Sequence, residues 1–217
     1  MLIKRNEKTN NKNYASYFNY YETTMKKGEG GQLAGGNPTR GRVENDFYAT
    51  HPDSVMALLE VEEIIYPALE PACGQGHISK LLDTLDTKST DLIDRGYGFG
   101  GVDFLTEDYN AYEITYNTII TNPPFALFQE FVEKALRVAN HKVIMFGKLQ
   151  ALEGQKRATY LETTPLKTVY VFKKRQQMLP NGKDFKELTG RKSANTMAFA
   201  WYVWEIGYKG EPIIKWI

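Results

Sequence analysis

One short stretch of the chain, Thr121-Asn122-Pro123-Pro124-Phe125, strongly constrains the structure around it. The β-branched run Thr118-Ile119-Ile120 precedes it and favours a strand, and an amphipathic pattern that favours a helix follows it. The two prolines cannot continue either element, and they lack backbone N–H donors. We therefore expect a rigid turn at the carboxyl end of a strand, with more hydrogen-bond acceptors than donors.

Such a turn suits a ligand that carries an exocyclic amine on an aromatic ring. The side-chain oxygen of Asn122 and the carbonyl oxygen of Pro123 can each accept one N–H, and Phe125 can stack on the ring. The alternative is a plain strand-to-helix turn, since Asn-Pro is common in turns. The longer pattern of asparagine, two prolines and an aromatic residue is rare by chance, so we interpret it as a functional site.

Length and composition favour a cytoplasmic α/β protein. The 217 residues, 42% of them hydrophobic, suffice for one sizeable domain with additions or at most two small ones. The single cysteine, Cys73, excludes an intramolecular disulfide framework, and the three histidines lack the spacing of metal ligands, so no metal site is expected. No run of about 18 apolar residues suggests a membrane span, and the polar N-terminus does not resemble a signal peptide.

The net charge of +1 conceals an uneven distribution of charge. Residues 1–42 carry eight Lys/Arg and three Asp/Glu, and residues 156–192 carry ten and three. Basic segments are typical of solvated faces as well as of sites for polyanions, and this pattern makes a nucleic acid a candidate partner. The first 43 residues also lack apolar periodicity and include a Gly-rich passage, which predicts a flexible basic arm before one domain at 44–217.

A second motif, Glu70-Pro71-Ala72-Cys73-Gly74-Gln75-Gly76, follows a short predicted strand at 68–70. The apolar positions Ile78, Leu81, Leu82 and Leu85 predict a helix after it. Glycines between a strand and a helix let the backbone approach a ligand closely, although this pattern alone is weak and lacks the third glycine of the dinucleotide fingerprint. Glu70 would repel a pyrophosphate and suits a ligand with an amino group or a cation.

Acidic residues follow the next predicted elements. Asp91 and Asp94 lie in and after a predicted strand at 90–93, where α/β folds that bind nucleosides hold ribose hydroxyls. Asp103 and Phe104 place an acid beside an aromatic ring, which suits an adenine amine and the face of its ring. For each of these acids, a surface position in a turn is the alternative.

The remaining apolar patterns complete an alternation of helices and strands. We expect a helix at about 52–61, a helix after Pro124 that buries an apolar face, and strands at 142–146, 168–172 and 197–206. In the last of these strands, Trp201 and Trp204 should lie on opposite faces because strand side chains alternate. The core face of the helix after Pro124 is predicted to comprise Phe128, Phe131, Val132, Ala135 and Leu136.

Together these motifs resemble class I S-adenosylmethionine-dependent methyltransferases that modify amino groups, and in particular the short DNA adenine-N6 methyltransferases of bacteriophages. The resemblance covers about residues 44–217, and the stretches at 70–76 and 122–125 are its specific parts. Less specific similarity is carried by Leu152-Glu153-Gly154, the region of Arg157, Phe199-Ala200-Trp201-Tyr202-Val203-Trp204-Glu205 and Gly210-Glu211-Pro212. The resemblance implies a Rossmann-like α/β fold with a seven-stranded, mostly parallel sheet, an antiparallel edge hairpin and helices on both faces.

The resemblance also implies roles for individual residues. S-adenosylmethionine would be bound at its methionine end by the glycine turn above Glu70, at its ribose by Asp91 or, as the second choice, Asp94, and at its adenine by Asp103 and Phe104. An N-terminal motif around Thr50 and Phe47 would cover the cofactor, although His51 departs from the family pattern. The implied cofactor-binding set is Phe47, Thr50, Glu70, Ala72, Gly74, Gly76, Asp91, Asp103, Phe104 and Asn122, and the implied catalytic set is Asn122, Pro123, Pro124 and Phe125.

The implied activity is methyl transfer to the N6 amine of a flipped adenine in double-stranded DNA, in the cytoplasm of a bacterium or of a phage-infected cell. Loops within 147–165 and 173–196 would contact the DNA. Three alternatives remain open: an RNA adenine methyltransferase, a protein glutamine-N5 methyltransferase and an inactive DNA-binding relic. The basic segment at 156–192 favours nucleic acid over protein, and two intact motifs argue against a relic.

Overall fold

The structure is a computed structural model that describes residues 47–111, 114–176, 178–180, 182 and 197–217. The predicted arm at 1–43 lies outside these residues, and so do residues 177, 181 and 183–196 of the predicted DNA-contacting loop at 173–196. The described strands are β1 (Tyr48–Thr50), β2 (Ala68–Glu70), β3 (Thr87–Ser89), β4 (Tyr116–Thr121), β5 (Ala139–Lys148), β6 (Leu166–Val171), β7 (Met178–Pro180), β8 (Phe199–Glu205) and β9 (Ile213–Trp216). The described α-helices are α1 (Pro52–Leu59), α2 (Phe128–Val138) and α3 (Gln155–Glu162).

Seven strands form one mixed sheet in the order β3-β2-β4-β5-β8-β6-β9. Strand β8 runs antiparallel to both of its neighbours, and every other neighbouring pair in this sheet is parallel. This architecture confirms the predicted fold class, a mostly parallel α/β sheet with antiparallel pairing toward one edge. Strand β9 pairs with β6 and extends the sheet by one strand beyond that antiparallel pairing.

The sheet separates two hydrophobic clusters, because successive side chains of a strand point to opposite faces. Trp201 belongs to one cluster with α1, and Trp204 belongs to the other with α2. The two side chains therefore lie on opposite faces of the sheet, as predicted. Both indoles are fully buried and both are hydrogen-bonded: Trp201 Nε1 donates to the Ser54 carbonyl at 2.7 Å, and Trp204 Nε1 donates to Thr164 Oγ1 at 2.9 Å. Strand β8 is therefore fixed from both faces.

The predicted core face of the helix after Pro124 is also present. Phe131, Val132 and Ala135 are buried in α2, and Phe128 and Leu136 pack against the same cluster while partly exposed. The predicted strands at 142–146, 168–172 and 197–206 correspond to β5, β6 and β8, and the predicted helix at 52–61 ends at Leu59.

The prediction of a helix after Gly76 is wrong. Only a 3-10 turn, Ser79–Leu81, forms there, and Leu85 is 94% exposed although Ile78, Leu81 and Leu82 are buried. The chain becomes extended at Leu82, and Asp83 then accepts hydrogen bonds from the Leu85 amide and the Thr87 hydroxyl. These local bonds compete with helix continuation.

The predicted strand at 90–93 is also wrong in position, since β3 occupies Thr87–Ser89. Thr90 makes only an isolated bridge with Phe99, and the Asp91 carboxylate then accepts the Ile93 N–H at 2.8 Å. This turn ends the strand, so Asp91 lies just beyond its carboxyl end.

Strands β1 and β7 form a separate two-stranded antiparallel sheet, in which Ala49 pairs with Leu179. The Asn122 side chain is hydrogen-bonded to the carbonyl of Tyr48 in β1, so this small sheet is attached to the turn that follows β4. The first described residues thereby reach the carboxyl ends of the central strands.

Candidate active site

One cavity lies at the carboxyl ends of β2 and β4, where open α/β sheets commonly bind ligands. Eleven of the thirteen predicted site residues line it, and the exceptions are Gly74 and Gly76. The predicted residues in the lining are Phe47, Thr50, Glu70, Ala72, Asp91, Asp103, Phe104, Asn122, Pro123, Pro124 and Phe125. Two motifs that are about 50 residues apart in the sequence therefore share one cavity.

The two glycines shape the turn behind the cavity wall. Gly74 has φ +55° and Gly76 has φ +79°, a region that side-chain-bearing residues rarely adopt. A Cβ at Gly74 would lie 2.4 Å from the Phe47 ring, and a Cβ at Gly76 would lie 2.5 Å from the Tyr97 ring. Glycine is thus required both for backbone conformation and for the close approach of two aromatic rings.

Asp91 connects this turn to the end of β3. Its carboxylate accepts the Gly74 N–H at 2.8 Å and the Ile93 N–H at 2.8 Å, and the residue is 9% exposed and lines the cavity. Asp94 is exposed, accepts the Gly96 N–H and does not line the cavity. Of the two acids that the sequence left open, Asp91 is the one beside the cavity.

Glu70 is a buried acid at the end of β2. Its carboxyl oxygen accepts the Ser79 N–H at 2.8 Å and the Ser79 hydroxyl, and the residue is 2% exposed. Burial removes the charged form from water and raises the pKa of Glu70 to about 8, although the Ser79 hydrogen bonds partly oppose this shift. At neutral pH the acid is largely protonated, and a nearby cation would favour its ionisation.

Asn122 is held in a defined orientation. Its side-chain nitrogen donates to the Tyr48 carbonyl at 2.7 Å, so the amide nitrogen is used inside the protein. The side-chain oxygen accepts no hydrogen bond from any residue that the structure describes. Asn122 and Pro123 both line the cavity, and Asn122 therefore offers an acceptor to a ligand there.

The Phe125 ring lies beside this acceptor and has three close neighbours. Its centroid is 6.0 Å from that of Tyr48 in a stacked arrangement, and 5.7 Å from that of Phe199. The Lys148 ammonium lies 4.8 Å from the centroid, over the ring. Phe125 itself is half-buried, so its ring borders both the cavity and the solvent-facing surface.

Asp103 and Phe104 form another part of the lining. The Asp103 side chain accepts the Leu105 N–H at 3.0 Å through one oxygen, which leaves its other oxygen for a donor. Phe104 is 2% exposed and packs against Phe131 and Tyr109, with centroids 5.1 and 5.5 Å away. Phe104 therefore contributes an apolar wall that its neighbours hold in place.

Thr50 and Arg95 leave polar atoms unused at the cavity. Thr50 is 2% exposed and its Oγ1 has no hydrogen-bond partner among the described residues. Arg95 lies 4.2 Å from the Phe47 centroid, and its buried Nε likewise has no partner in the described part of the chain. Both residues line the cavity, and buried polar atoms are normally paired, so a polar ligand would satisfy them.

His51, Cys73 and His77 complete the polar surroundings. His51 caps α1, since its Nδ1 accepts the Asp53 N–H at 3.2 Å. Burial lowers the pKa of His77 to about 4 and raises the pKa of the Cys73 thiol, so both are neutral at pH 7. Neither His77 nor Cys73 was predicted as a cavity residue, although both line it.

The sequence matches no protein-family model and no curated protein. Similarity appears among solved structures. A candidate class I S-adenosylmethionine-dependent methyltransferase from Listeria monocytogenes superposes with a TM-score of 0.51 at 11% identity, over 97% of this chain and 74% of that protein. The chain has the class I methyltransferase fold.

Two further structures share this methyltransferase fold. A type I restriction-modification methyltransferase subunit from Streptococcus thermophilus gives a TM-score of 0.53 at 11% identity, over 78% of this chain and 47% of that one. A candidate RNA methyltransferase from Pyrococcus horikoshii gives a TM-score of 0.51 at 12% identity, over 86% of this chain and 96% of that protein. This chain thus spans about half the length of the restriction-modification subunit.

The described ranges of this methyltransferase fold contain neither a metal-binding cluster nor a membrane-spanning helix. No three His, Cys, Asp or Glu side chains are grouped there in a way that could hold a metal ion. No helix there has the length and apolar character needed to cross a membrane.

Sequence reasoning missed several contacts that define the site of this methyltransferase fold. The tether between Asn122 and Tyr48 joins residues 74 positions apart, and it uses a backbone carbonyl that any residue could supply. The contact between Lys148 and Phe125 has no periodic signal either. Ser79, which hydrogen-bonds Glu70, lay in a segment that we expected to be helical.

Proposed function

We propose that this protein transfers a methyl group from S-adenosylmethionine to the N6 amine of adenine in double-stranded DNA. The observation that carries the proposal is the fixed orientation of Asn122 at a cavity that is also lined by residues 70–73, the first part of the glycine-turn motif. With its nitrogen bound to Tyr48, Asn122 presents an acceptor beside the Phe125 ring. An acceptor next to an aromatic ring suits an aromatic amine.

The cavity residues fit the proposed cofactor. Thr50 and Arg95 offer buried polar atoms that lack partners among the described residues, and Asp103 keeps one carboxylate oxygen for an adenine amine. Glu70 would gain a cationic neighbour and ionise. When bound, S-adenosylmethionine supplies an electrophilic methyl group on a sulfonium. The fold similarity to a candidate S-adenosylmethionine-dependent enzyme supports this choice of cofactor.

In this proposal the turn at 122–125 positions the target base. Asn122 Oδ1 and the Pro123 carbonyl each accept one N–H of the adenine amine, which orients the nitrogen lone pair toward the methyl donor. The same acceptors stabilise the positive charge that develops on the amine in the transition state. Phe125 stacks on the base and offsets the cost of removing it from the helix.

The charge distribution supports DNA as the substrate. Residues 156–192 carry ten basic and three acidic side chains, and the described members include Lys156, Arg157 and Lys173–Arg175. Basic segments bind phosphates and release counterions. The similar structures include a restriction-modification methyltransferase subunit and a candidate RNA methyltransferase, so both nucleic acids belong in the test.

Expression in a bacterial host that lacks adenine methylation tests the proposed reaction. We expect N6-methyladenine in host DNA, at defined sequences, when wild-type protein is expressed and not when Asn122→Ala is expressed. Single-molecule sequencing of the host DNA locates the modified adenines. Mass spectrometry of nucleosides from DNA and from RNA, and of trypsin-digested protein for methylglutamine, separates the alternatives. Modification confined to RNA or to glutamine would refute the DNA proposal.

Cofactor binding gives a prediction that does not depend on the substrate. S-adenosylmethionine should bind with micromolar affinity, roughly −7 to −8 kcal/mol, as is typical of small-molecule sites. Asp103→Ala should weaken binding by about tenfold to a hundredfold, because a charge-assisted hydrogen bond contributes about 1.5–3 kcal/mol. Isothermal titration calorimetry measures both values.

Asp94→Ala is the matched control for Asp103→Ala. Asp94 makes the same kind of turn, with its carboxylate bound to the amide two residues later, but it is exposed and outside the cavity lining. We expect the affinity of Asp94→Ala for S-adenosylmethionine to equal that of wild type. Equal losses in the two variants, or no heat of binding in folded wild-type protein, would contradict the proposed cofactor site.

A further inference from the structure

A groove beside Phe125 opens on the side of the proposed target base, and it contains two cations. Lys148 and Arg157 line it together with Phe125, Gln129, Glu130 and Gln150. Glu130 is the one acid among the described lining residues. The groove shares Phe125 with the cavity, so a nucleotide whose base reaches that ring would have its sugar and phosphates near these side chains.

Arg157 is held at the groove by its own neighbours. Its Nε donates to the Glu153 carbonyl at 2.7 Å, and its Nη2 donates to the Gln150 carbonyl at 3.3 Å. Gly154, with φ +108°, lets the guanidinium fold back, since a Cβ there would lie 3.1 Å from Arg157 Nη2. A guanidinium has five N–H donors, so several remain for a phosphate.

Lys148 differs from Arg157 because its charge lies over an aromatic ring. The ammonium is 4.8 Å from the Phe125 centroid, in a position where it restricts stacking of a base on that ring. Of the three neighbours of the ring, Phe199 is 2% exposed in the core, and Tyr48 has its backbone fixed in β1 by the bond from Asn122 to its carbonyl. Lys148 is half-buried on a flexible side chain and can move into the groove.

The backbone of Lys148 is fixed while its side chain is not. Lys148 is the last residue of β5, where it pairs with Phe199, and its carbonyl accepts the Tyr202 hydroxyl at 2.8 Å. A change of side-chain rotamer therefore needs no change in the sheet. Base–aromatic stacking is stronger than an exposed cation–π contact, so an arriving base can replace the ammonium.

We infer that Lys148 covers Phe125 in the free protein and, when the target base stacks there, turns into the groove and binds a backbone phosphate of that nucleotide together with Arg157. This inference rests on the proposed function and specifies the ligand of the groove as the phosphate of the flipped nucleotide. Lys148 is a positioning residue in this scheme, since it touches neither the amine nor the cofactor.

Lys148→Met tests the inference, because methionine keeps an apolar chain of similar length and removes the charge. The probe is a fluorescein-labelled duplex that contains a sequence found methylated in the host-DNA experiment, bound in the presence of S-adenosylhomocysteine. We expect about tenfold weaker DNA binding at physiological salt. The slope of log affinity against log salt concentration should be less steep by about 0.9. The KM for DNA should rise while kcat stays unchanged. Lys148→Arg should restore the salt slope.

Lys88→Met is the matched control. Lys88 also lies over a phenylalanine ring, 5.8 Å from the Phe99 centroid, but on edge strand β3, three positions from β5 in the sheet. Its DNA affinity and salt slope should equal those of wild type. Wild-type slope and KM in Lys148→Met, a loss confined to kcat, or equal changes in the two variants would overturn the inference. Absence of methyl transfer by wild-type protein would instead refute the proposed function.

Discussion

Replacement of Asn122 by alanine should reduce methyl-transfer turnover by about a hundredfold or more, which corresponds to roughly 3 kcal/mol of transition-state stabilisation. The variant loses one acceptor whose hydrogen bond strengthens as the amine becomes cationic. Binding of S-adenosylmethionine should change little, because the proposed partner of Asn122 Oδ1 is the adenine. Single-turnover rates with saturating cofactor and DNA, together with calorimetry, measure the two effects.

Asn117→Ala controls for the structural part of this change. Asn117 Nδ2 donates to the Tyr66 carbonyl at 2.7 Å, the same kind of bond and the same length as that between Asn122 and Tyr48, and it lies outside the cavity lining. We expect a similar loss of stability in both variants and a loss of turnover only in Asn122→Ala. Wild-type methylation by Asn122→Ala would show that the turn at 122–125 is not the active site.

Phe125→Ala should produce a different kinetic result. Loss of base stacking, about 1–3 kcal/mol, should appear mainly as weaker capture of the flipped base. A duplex with 2-aminopurine at the target position reports this step, because its fluorescence rises when the base leaves the stack. The contrast between the two variants separates orientation of the amine from retention of the base.

The parts of the site that the sequence predicted are those that backbone chemistry determines locally. Pro123 and Pro124 exclude a helix or strand at their own positions, and Gly74 and Gly76 adopt positive φ values that other residues rarely accept. Strand alternation similarly placed Trp201 and Trp204 on opposite faces of the sheet. Each of these predictions needs only neighbours within a few residues.

The errors arose where side chains compete with the backbone for hydrogen bonds. Asp83 and Asp91 each accept the amide two residues later, and these bonds end the predicted helix and displace the predicted strand. Apolar periodicity alone gives no sign of this competition. Leu85 fits the helical pattern in sequence and is nevertheless 94% exposed.

Long-range contacts were beyond sequence reasoning for a different reason. The tether of Asn122 to Tyr48 and the position of Lys148 over Phe125 depend on where β1 and β5 end in space. The hydrogen bond between Asn122 and Tyr48 cannot be inferred from the identity of residue 48, since Tyr48 contributes only its backbone carbonyl. These contacts decide which atom of Asn122 faces the cavity, and they therefore carry the functional argument.

The contribution of Glu70 to the stability of the protein should fall as the pH rises from about 4.5 to 8. Its pKa is raised from 4.5 to about 8 by burial, so between these values the folded state holds a proton that the unfolded state has lost. Unfolding then releases a proton, and a higher pH favours it. The full shift corresponds to about 5 kcal/mol of the free energy of unfolding. Wild type should lose this contribution as the pH rises, and Glu70→Gln should not. Denaturant unfolding of both proteins from pH 5 to 9 measures the difference.

Glu205→Gln provides a control of opposite sign. The hydrogen bond from Lys167 lowers the pKa of Glu205, so this acid stabilises the folded state above its unfolded pKa and the substitution should not relieve the loss at high pH. A wild-type stability curve that runs parallel to that of Glu70→Gln between pH 5 and 9 would show that Glu70 is ionised in the folded protein.

In the proposed site, Glu70 also links cofactor binding to pH. A cation beside the buried acid favours its ionised form, so binding of S-adenosylmethionine below pH 8 should release a proton and should strengthen as the pH rises toward 8. Calorimetry in buffers of different ionisation enthalpy measures the released proton. In Glu70→Gln the release should disappear and the affinity should no longer depend on pH in this range. Proton release that persists in Glu70→Gln would assign the titrating group to another residue and would place the cofactor's cation away from Glu70.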